Sequence, residues 1–237
     1  MKILLYALGL LVAYCIWVLI SVGYTVYVAK KLAQVTPPFK TNTPEETKTM
    51  LILGDSTAAG VGTVKSFFST PGFLFDHLNV TYAENYAVNG AQAKDIEDQV
   101  KQAKKETYDV ILLQVGANDI VRFHDADTVA ETLEPVLELL KKKSDLVIFI
   151  SAGNMGSPPA IPFFLKKKYT SLSLEYHKAF ETVSEKVGIM YVNTYQDPSV
   201  DPFVLNPKEY FSKDGFHPTT RGYHVWFTMI KERLEKE

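Results

Sequence analysis

Cysteine is almost absent from this 237-residue sequence, in which Cys15 is the only one. A single cysteine excludes an internal disulfide framework and a cysteine-rich zinc site. Charge of one sign is not in excess either, because the formal net charge is −2. The basic character of many nucleic-acid-binding domains is therefore missing, and we expect no nucleic-acid partner.

Several common signatures are also missing. The sequence contains no G-x-S-x-G nucleophile elbow and no G-x-x-x-x-G-K-[ST] phosphate loop. The "GVG" of Gly60–Gly62 lacks the third glycine of a dinucleotide-binding loop. No group of histidines and carboxylates has the spacing of a metal site. We therefore expect neither a metal nor another cofactor.

Long apolar runs, by contrast, are present at the amino terminus. Residues 3–29 contain no charged side chain, and as a helix they would extend about 40 Å, enough to cross a bilayer. We predict an uncleaved transmembrane anchor over residues 1–31. A cleaved signal peptide is the main alternative, although "YVA" and "KLA" are poor cleavage sites. A buried core helix is the third.

Lysines flank both ends of this run, with Lys2 before it and Lys30, Lys31 and Lys40 after it. The positive-inside rule therefore gives no firm orientation. Because the run lies at the start of the sequence, we expect the rest of the chain to be exported to the extracytoplasmic side. The sequence does not indicate an oligomeric state.

The remainder divides into a linker and one folded domain. Residues 32–48 are rich in proline, threonine and charge, which predicts a tether. Within the domain, 49–237, five short apolar runs alternate with amphipathic segments. The runs cover residues 50–56, 80–88, 108–116, 145–153 and 189–195, and helices are predicted over 93–106, 127–143, 168–187 and 219–237. Alternation of this kind predicts a three-layer α/β/α, flavodoxin-like domain with a five-stranded parallel sheet.

Polar residues and glycines follow three of these runs. They are Gly54-Asp55-Ser56, Asn89-Gly90 and the segment 116–119, "GAND". Since ligands bind at the carboxyl ends of parallel strands, these three groups are expected to converge on one site.

Ser56 would need a general base to act as a nucleophile. His217 is the best candidate of five histidines, because Asp214 precedes it by three residues, with Gly215 between them to permit a tight turn. Such a loop can place the carboxylate on one imidazole nitrogen and leave the other for the serine. A turn in which the aspartate caps the backbone and the histidine is exposed would fit the same residues.

The other four histidines are weaker candidates. His77, His177 and His224 fall within helical patterns, which favours surface or core positions, and His124 follows the third strand near the rim of the expected site.

Four blocks occur in a fixed order: "GDS", "NYAVNG", "GAND" and "DGFH". In this order they resemble the blocks of the SGNH hydrolases, also called the GDSL esterase family, over the chain from about Met50 to its end. Thr57 stands where the family's older name has leucine. The resemblance implies a serine esterase that works through an acyl-enzyme.

The resemblance also implies roles for individual residues. Ser56 would be the nucleophile, His217 the base and Asp214 its orienting partner. The backbone N–H groups of Ser56 and Gly90 and the side chain of Asn118 would form an oxyanion hole. We expect structural roles for three further residues, Asp55, Asn85 and Asp119, and we expect the small residues after Ser56 to give access to its hydroxyl.

The substrate class stays open. A lysophospholipid or another lipid ester, an acyl or acetyl group on a carbohydrate and a thioester all fit, and so do an acyltransferase or a tethered binding module. In the segment 153–170, Phe163 and Phe164 precede three lysines. This segment is either an ordinary loop entering a helix or an apolar, substrate-binding lip at a membrane containing anionic lipid.

Overall fold

The computed structural model describes residues 2–42 and 47–236. Residues 43–46 of the predicted linker lie outside this description. The helices are α1 Lys2–Val35, α2 Thr70–His77, α3 Ile96–Val100, α4 Ala117–Val121, α5 Ala126–Lys143, α6 Phe163–Val187, α7 Pro202–Leu205, α8 Pro207–Tyr210 and α9 Thr220–Leu234. The strands are β1 Thr41–Asn42, β2 Thr49–Gly54, β3 Tyr82–Asn85, β4 Val110–Gln114, β5 Leu146–Ile150 and β6 Met190–Val192.

The strands form one sheet in the order β1-β3-β2-β4-β5-β6. Strands β2 to β6 pair in parallel, which confirms the five predicted strands and their flavodoxin-like order. The sheet has one additional strand, β1, which was not predicted. It pairs antiparallel with β3. From β2 the chain passes first to β3 on one side and later to β4 on the other. The carboxyl end of β2 is therefore a topological switch point, where such folds bind ligands.

Alternate side chains of each central strand enter two cores. On β4, Ile111 and Leu113 pack with the face covered by α5 and α6. Val110 and Leu112 pack with the opposite face, together with Leu74 of α2 and Ile230 of α9. Burial of both sheet faces explains why the strands read as continuous apolar runs and confirms the three-layer prediction.

The first predicted helix, over 93–106, is wrong in its length. A 3₁₀ turn over Ala93–Asp95 leads into α3, which ends at Val100. Beyond Val100, side-chain oxygens accept hydrogen bonds from backbone N–H groups that would bond within a longer helix. The N–H of Lys104 donates to Glu84 (3.0 Å), and that of Lys105 donates to the hydroxyl oxygen of Tyr108 (3.1 Å).

Helix α6 begins five residues before its predicted start. Pro162 immediately precedes its first turn, a position where proline is compatible with a helix. Phe163 and Phe164 therefore belong to the helix. They are 73% and 53% exposed.

Helix α1 continues to Val35, past the predicted end of the anchor at residue 31, and Pro37 and Pro38 then prevent its extension. It is long and apolar enough to cross a membrane, and no residue of its most apolar window is buried. It is therefore not a core helix of the domain. A signal sequence near the amino terminus can meet the same criteria of length and composition.

The described part of the predicted linker is packed against the domain. The ring of Phe39 contacts Phe67 and Phe75, with centroids 5.2 and 6.0 Å apart. The backbone N–H of Ala83 in β3 donates to Oγ1 of Thr41 (2.8 Å). The segment around residues 39–42 is thus an edge of the folded domain.

Candidate active site

Ser56 lies in the turn that follows β2. The turn is held by Asp55, whose Oδ1 accepts hydrogen bonds from the N–H and the hydroxyl of Thr57 (2.8 and 2.6 Å). Gly54 permits it, because its φ is 142° and a Cβ there would lie 2.0 Å from the carbonyl oxygen of Gln114. This geometry agrees with the structural role expected for Asp55.

The small residues after Ser56 serve two purposes, core packing and close approach. Ala58 and Ala59 are buried in the core beneath the turn. Asn85 fixes the same turn through its Nδ2 atom, which donates to the carbonyl oxygen of Ala58 (3.0 Å). Gly62 does allow close approach, since a Cβ there would lie 3.1 Å from the Cβ of His217.

The structure brings Ser56, His217 and Asp214 together. Nε2 of His217 lies 2.8 Å from Oγ of Ser56, and Nδ1 lies 2.5 Å from Oδ2 of Asp214. A proton on Nδ1 satisfies the carboxylate, so Nε2 is left to accept from the serine hydroxyl. These three residues are 9%, 6% and 3% exposed. The alternative of an exposed histidine in a simple turn is therefore excluded.

Hydrogen-bond donors surround the carboxylate of Asp214 and stabilise its negative charge. Its Oδ1 accepts from the hydroxyl of Ser212 (2.8 Å) and from the N–H groups of Phe216 (2.9 Å) and His217 (3.0 Å). Burial alone would raise the pKa of Asp214, but the hydrogen bond and charge of His217 and these N–H donors hold it below its usual value. A charged carboxylate therefore faces the imidazole.

The residues expected to supply the oxyanion donors line one cavity with His217. Ser56, Gly90, Asn118 and His217 all line one cavity of about 620 Å³. Among the described residues, no partner accepts a hydrogen bond from the backbone N–H of Ser56 or Gly90. Gly90 has a φ of 83°, and a Cβ there would meet no protein atom, so its backbone conformation is what favours glycine.

Asp119 connects the first turn of α4, which carries Asn118, to the loop after β3, which carries Gly90. Its Oδ2 accepts from the N–H of Ala93 (3.1 Å), and its Oδ1 accepts from the side chain of Gln92 (3.3 Å). Asn118 adds a bond from Nδ2 to the carbonyl oxygen of Ala91 (3.0 Å). The loop after β3 and the first turn of α4 are thus held in register, which agrees with a structural role for Asp119.

The remaining histidines stay outside the catalytic cavity. His124 lies beside Asp119, with Nδ1 3.5 Å from its Oδ1. His177 is buried in α6, and its Nε2 contacts the carbonyl oxygen of Ala152 (3.1 Å). Burial lowers the pKa of His177 to about 4, partly offset by that backbone contact. In the described ranges, 2–42 and 47–236, no three His, Cys, Asp or Glu residues are grouped to hold a metal.

Phe163 and Phe164 lie beside the catalytic cavity without lining it, whereas the next residue, Leu165, does line it. Sequence reasoning missed the other wall, which is formed by α1. The three-to-four-residue spacing of small and branched residues in α1 is the signal that was available.

Comparison with known proteins identifies a matching family. Residues 52–225 match the model of the GDSL-like lipase/acylhydrolase family. No curated protein matches the chain. Similar solved structures include a lipolytic protein of the G-D-S-L family from Veillonella parvula, with 19% identity and a TM-score of 0.61. The match covers 78% of this chain and 97% of that one.

Two further structures share the fold. An extracellular lipase from Streptomyces rimosus is 15% identical with a TM-score of 0.59, over 78% of this chain and 99% of that one. A variant of an acetyl-xylooligosaccharide esterase from Geobacillus stearmophilus is 15% identical with a TM-score of 0.58, over 79% and 94%. With the family match covering most of the sequence, the chain belongs to the GDSL-like lipase/acylhydrolase family and is a carboxylic ester hydrolase.

Proposed function

We propose that this protein hydrolyses carboxylic esters through an acyl-enzyme on Ser56. The observation that carries the proposal is the continuous chain of contacts from Ser56 Oγ through His217 to Asp214. Asp214 holds the imidazole in the tautomer whose Nε2 is a base, and it stabilises the imidazolium that forms.

In the first half of the reaction, Ser56 Oγ attacks the carbonyl carbon of the ester while its proton passes to Nε2 of His217. The carbonyl oxygen becomes an oxyanion, which the N–H groups of Ser56 and Gly90 and the amide of Asn118 stabilise. The intermediate collapses, the carbon–oxygen bond to the alcohol breaks, and His217 returns the proton to the leaving oxygen.

In the second half, water takes the place of the alcohol. The oxygen of the water attacks the acyl carbon while His217 accepts a proton from the water. Collapse then releases the carboxylic acid and restores the hydroxyl of Ser56. An acyltransferase would use another alcohol at this step, so added alcohol acceptor would yield a new ester as well as free acid.

Mass spectrometry of the protein quenched during turnover tests the acyl-enzyme. We expect a mass increase equal to one acyl group, located on the peptide that contains Ser56. An unmodified Ser56 peptide at a time when product forms in a burst would contradict it.

The membrane is the proposed location, with α1 as an uncleaved anchor and the domain on the extracytoplasmic side. Two features support it: the length and composition of α1 and the exposure of Phe163 and Phe164 at the start of α6. Lys166, Lys167 and Lys168 follow the pair. Apolar rings followed by lysines suit a surface of anionic lipid.

A lipid ester is the substrate class that this location favours. An acetyl or acyl group on an envelope carbohydrate remains the second candidate, because the same triad would serve both. The preferred acyl length separates a lipid ester from an acetylated carbohydrate, because an acetyl group would fill little of the cavity.

A further inference from the structure

Helix α1 lies across the catalytic cavity and forms one of its walls. The residues of α1 that line it are Val22, Thr25, Val26, Ala29, Lys30 and Ala33. Steps of three and four residues place side chains on one face of a helix. This wall comes from a segment that precedes the family match, which begins at residue 52.

The end of α1 nearest the sheet is fixed to the domain. Leu32 and Ala33 pack against the core on the α2 and α9 face. Thr36 is buried, and its Oγ1 donates to the carbonyl oxygen of Leu32 (2.7 Å). The ring of Phe39 then joins those of Phe67 and Phe75. The contacts of Leu32, Ala33 and Phe39 attach the carboxyl end of α1 to the domain.

Apolar residues from another part of the chain line the same cavity. They are Ile161 and Leu165, from the loop before α6 and from the first turn of that helix. The cavity is also lined by Ser56 and His217 and by the expected oxyanion donors Gly90 and Asn118. Its volume, about 620 Å³, lies within the range of sites that enclose a whole small ligand. An acetyl group of two carbons would leave most of it empty.

We propose that α1 is the acyl-chain wall of this active site, and that the ester substrate carries a medium or long acyl chain lying between α1 and Ile161–Leu165. The inference rests on the proposed function, since it requires an acyl group bound at Ser56. A membrane helix that is also part of the binding site would let a lipid ester pass from the bilayer along the helix without crossing water.

The acyl-length profile of the full chain in detergent micelles tests this assignment. We would measure kcat/KM for p-nitrophenyl esters from acetyl to dodecanoyl. Each methylene that enters the cavity should raise kcat/KM about fourfold, the equivalent of about 0.8 kcal/mol. A wild-type preference for acetyl over every longer ester would overturn the proposal.

Val26→Trp places a large ring in the cavity. We expect it to lower kcat/KM for the dodecanoyl ester at least tenfold and kcat/KM for the acetyl ester by a much smaller factor. Ile16→Trp is the matched control, because Ile16 is a branched residue of the same helix with similar exposure, 52% against 48% for Val26, and it does not line the cavity. It should leave the whole profile unchanged.

Val26→Ala tests the role of α1 independently if Val26→Trp loses activity on every ester. Removing two methyl groups widens the cavity and should move the preferred acyl group to a longer one. The role of α1 would be overturned if Val26→Ala kept the wild-type acyl-length profile. It would also be overturned if Val26→Trp and Ile16→Trp changed kcat/KM equally. Those results would leave the serine mechanism intact, because its own test is loss of all activity in Ser56→Ala.

Discussion

Oδ2 of Asp214 lies 2.5 Å from Nδ1 of His217, three residues later in the chain. The other carboxylate oxygen, Oδ1, is taken by Ser212, Phe216 and His217. One short loop therefore fixes the orientation of the imidazole and keeps its partner charged.

Asp214→Asn should lower kcat by about 10³–10⁴, because an amide can donate to Nδ1 and so favour the wrong tautomer. Steady-state hydrolysis of p-nitrophenyl esters would measure the effect. Asp125→Asn is the control. Asp125 caps α5 by accepting from the N–H of Thr128 (2.9 Å), a role that asparagine can fill. Equal activity in both variants would remove Asp214 from the mechanism.

Asn118→Ala removes one proposed oxyanion donor. We expect kcat to fall on the order of 10²–10³ with little change in KM, since the donor acts on charge that develops in the transition state. Asn193→Ala, on the exposed loop after β6, should have no such effect. A fall in thermal stability with unchanged kcat would show that Asn118 only braces the loop through Ala91.

Asp55 should make stability depend on pH. Burial raises its pKa to about 6, against the opposing hydrogen bonds from Thr57, whereas its ordinary value is 3.8. The folded protein therefore binds this proton more tightly than the unfolded chain does. As the pH rises from about 4 to about 6, the free energy of unfolding falls, by up to about 3 kcal/mol from this group.

Asp55→Asn cannot ionise, and its remaining oxygen can still accept from Thr57. Relative to this variant, the wild type should lose stability across that pH window and stay lower above it. Chemical unfolding at several pH values between 3.5 and 7 measures the difference. Parallel curves for the two proteins would mean that the pKa of Asp55 is the same in the folded and unfolded states.

Phe163 and Phe164 should matter only at a membrane. Changing both to serine should lower hydrolysis of a long-chain ester embedded in anionic vesicles by about tenfold or more, because two rings leave the lipid. Hydrolysis of a water-soluble acetyl ester should not change. Leu174→Ser is the control, since Leu174 is 49% exposed on the same helix. Similar losses in both variants would argue against a membrane-facing lip.

Much of the fold was predictable because its signals are local. The five parallel strands are buried on both faces, so each reads as an apolar run. The triad was predictable because Ser56 ends one such run and because Asp214 and His217 share one short loop. The edge strand β1 was not predictable in this way, since two residues carry no periodicity and pair only because β3 leaves an open edge.

The docking of α1 depends on contacts between distant residues. Its composition indicates a membrane helix, and nothing in residues 3–29 alone shows that one face lies over Ser56. Ala58 and Ala59 pose the same difficulty. Small residues beside a nucleophile suggest access, whereas here they let the turn pack onto the core.

The most direct test of the central claim is ester hydrolysis by the full chain and by its Ser56→Ala variant, in the same detergent and with p-nitrophenyl esters from acetyl to palmitoyl. The account predicts that the variant melts like the wild type and loses activity on every ester, by about 10⁴-fold or more. Hydrolysis by a folded Ser56→Ala variant at the wild-type rate would contradict it.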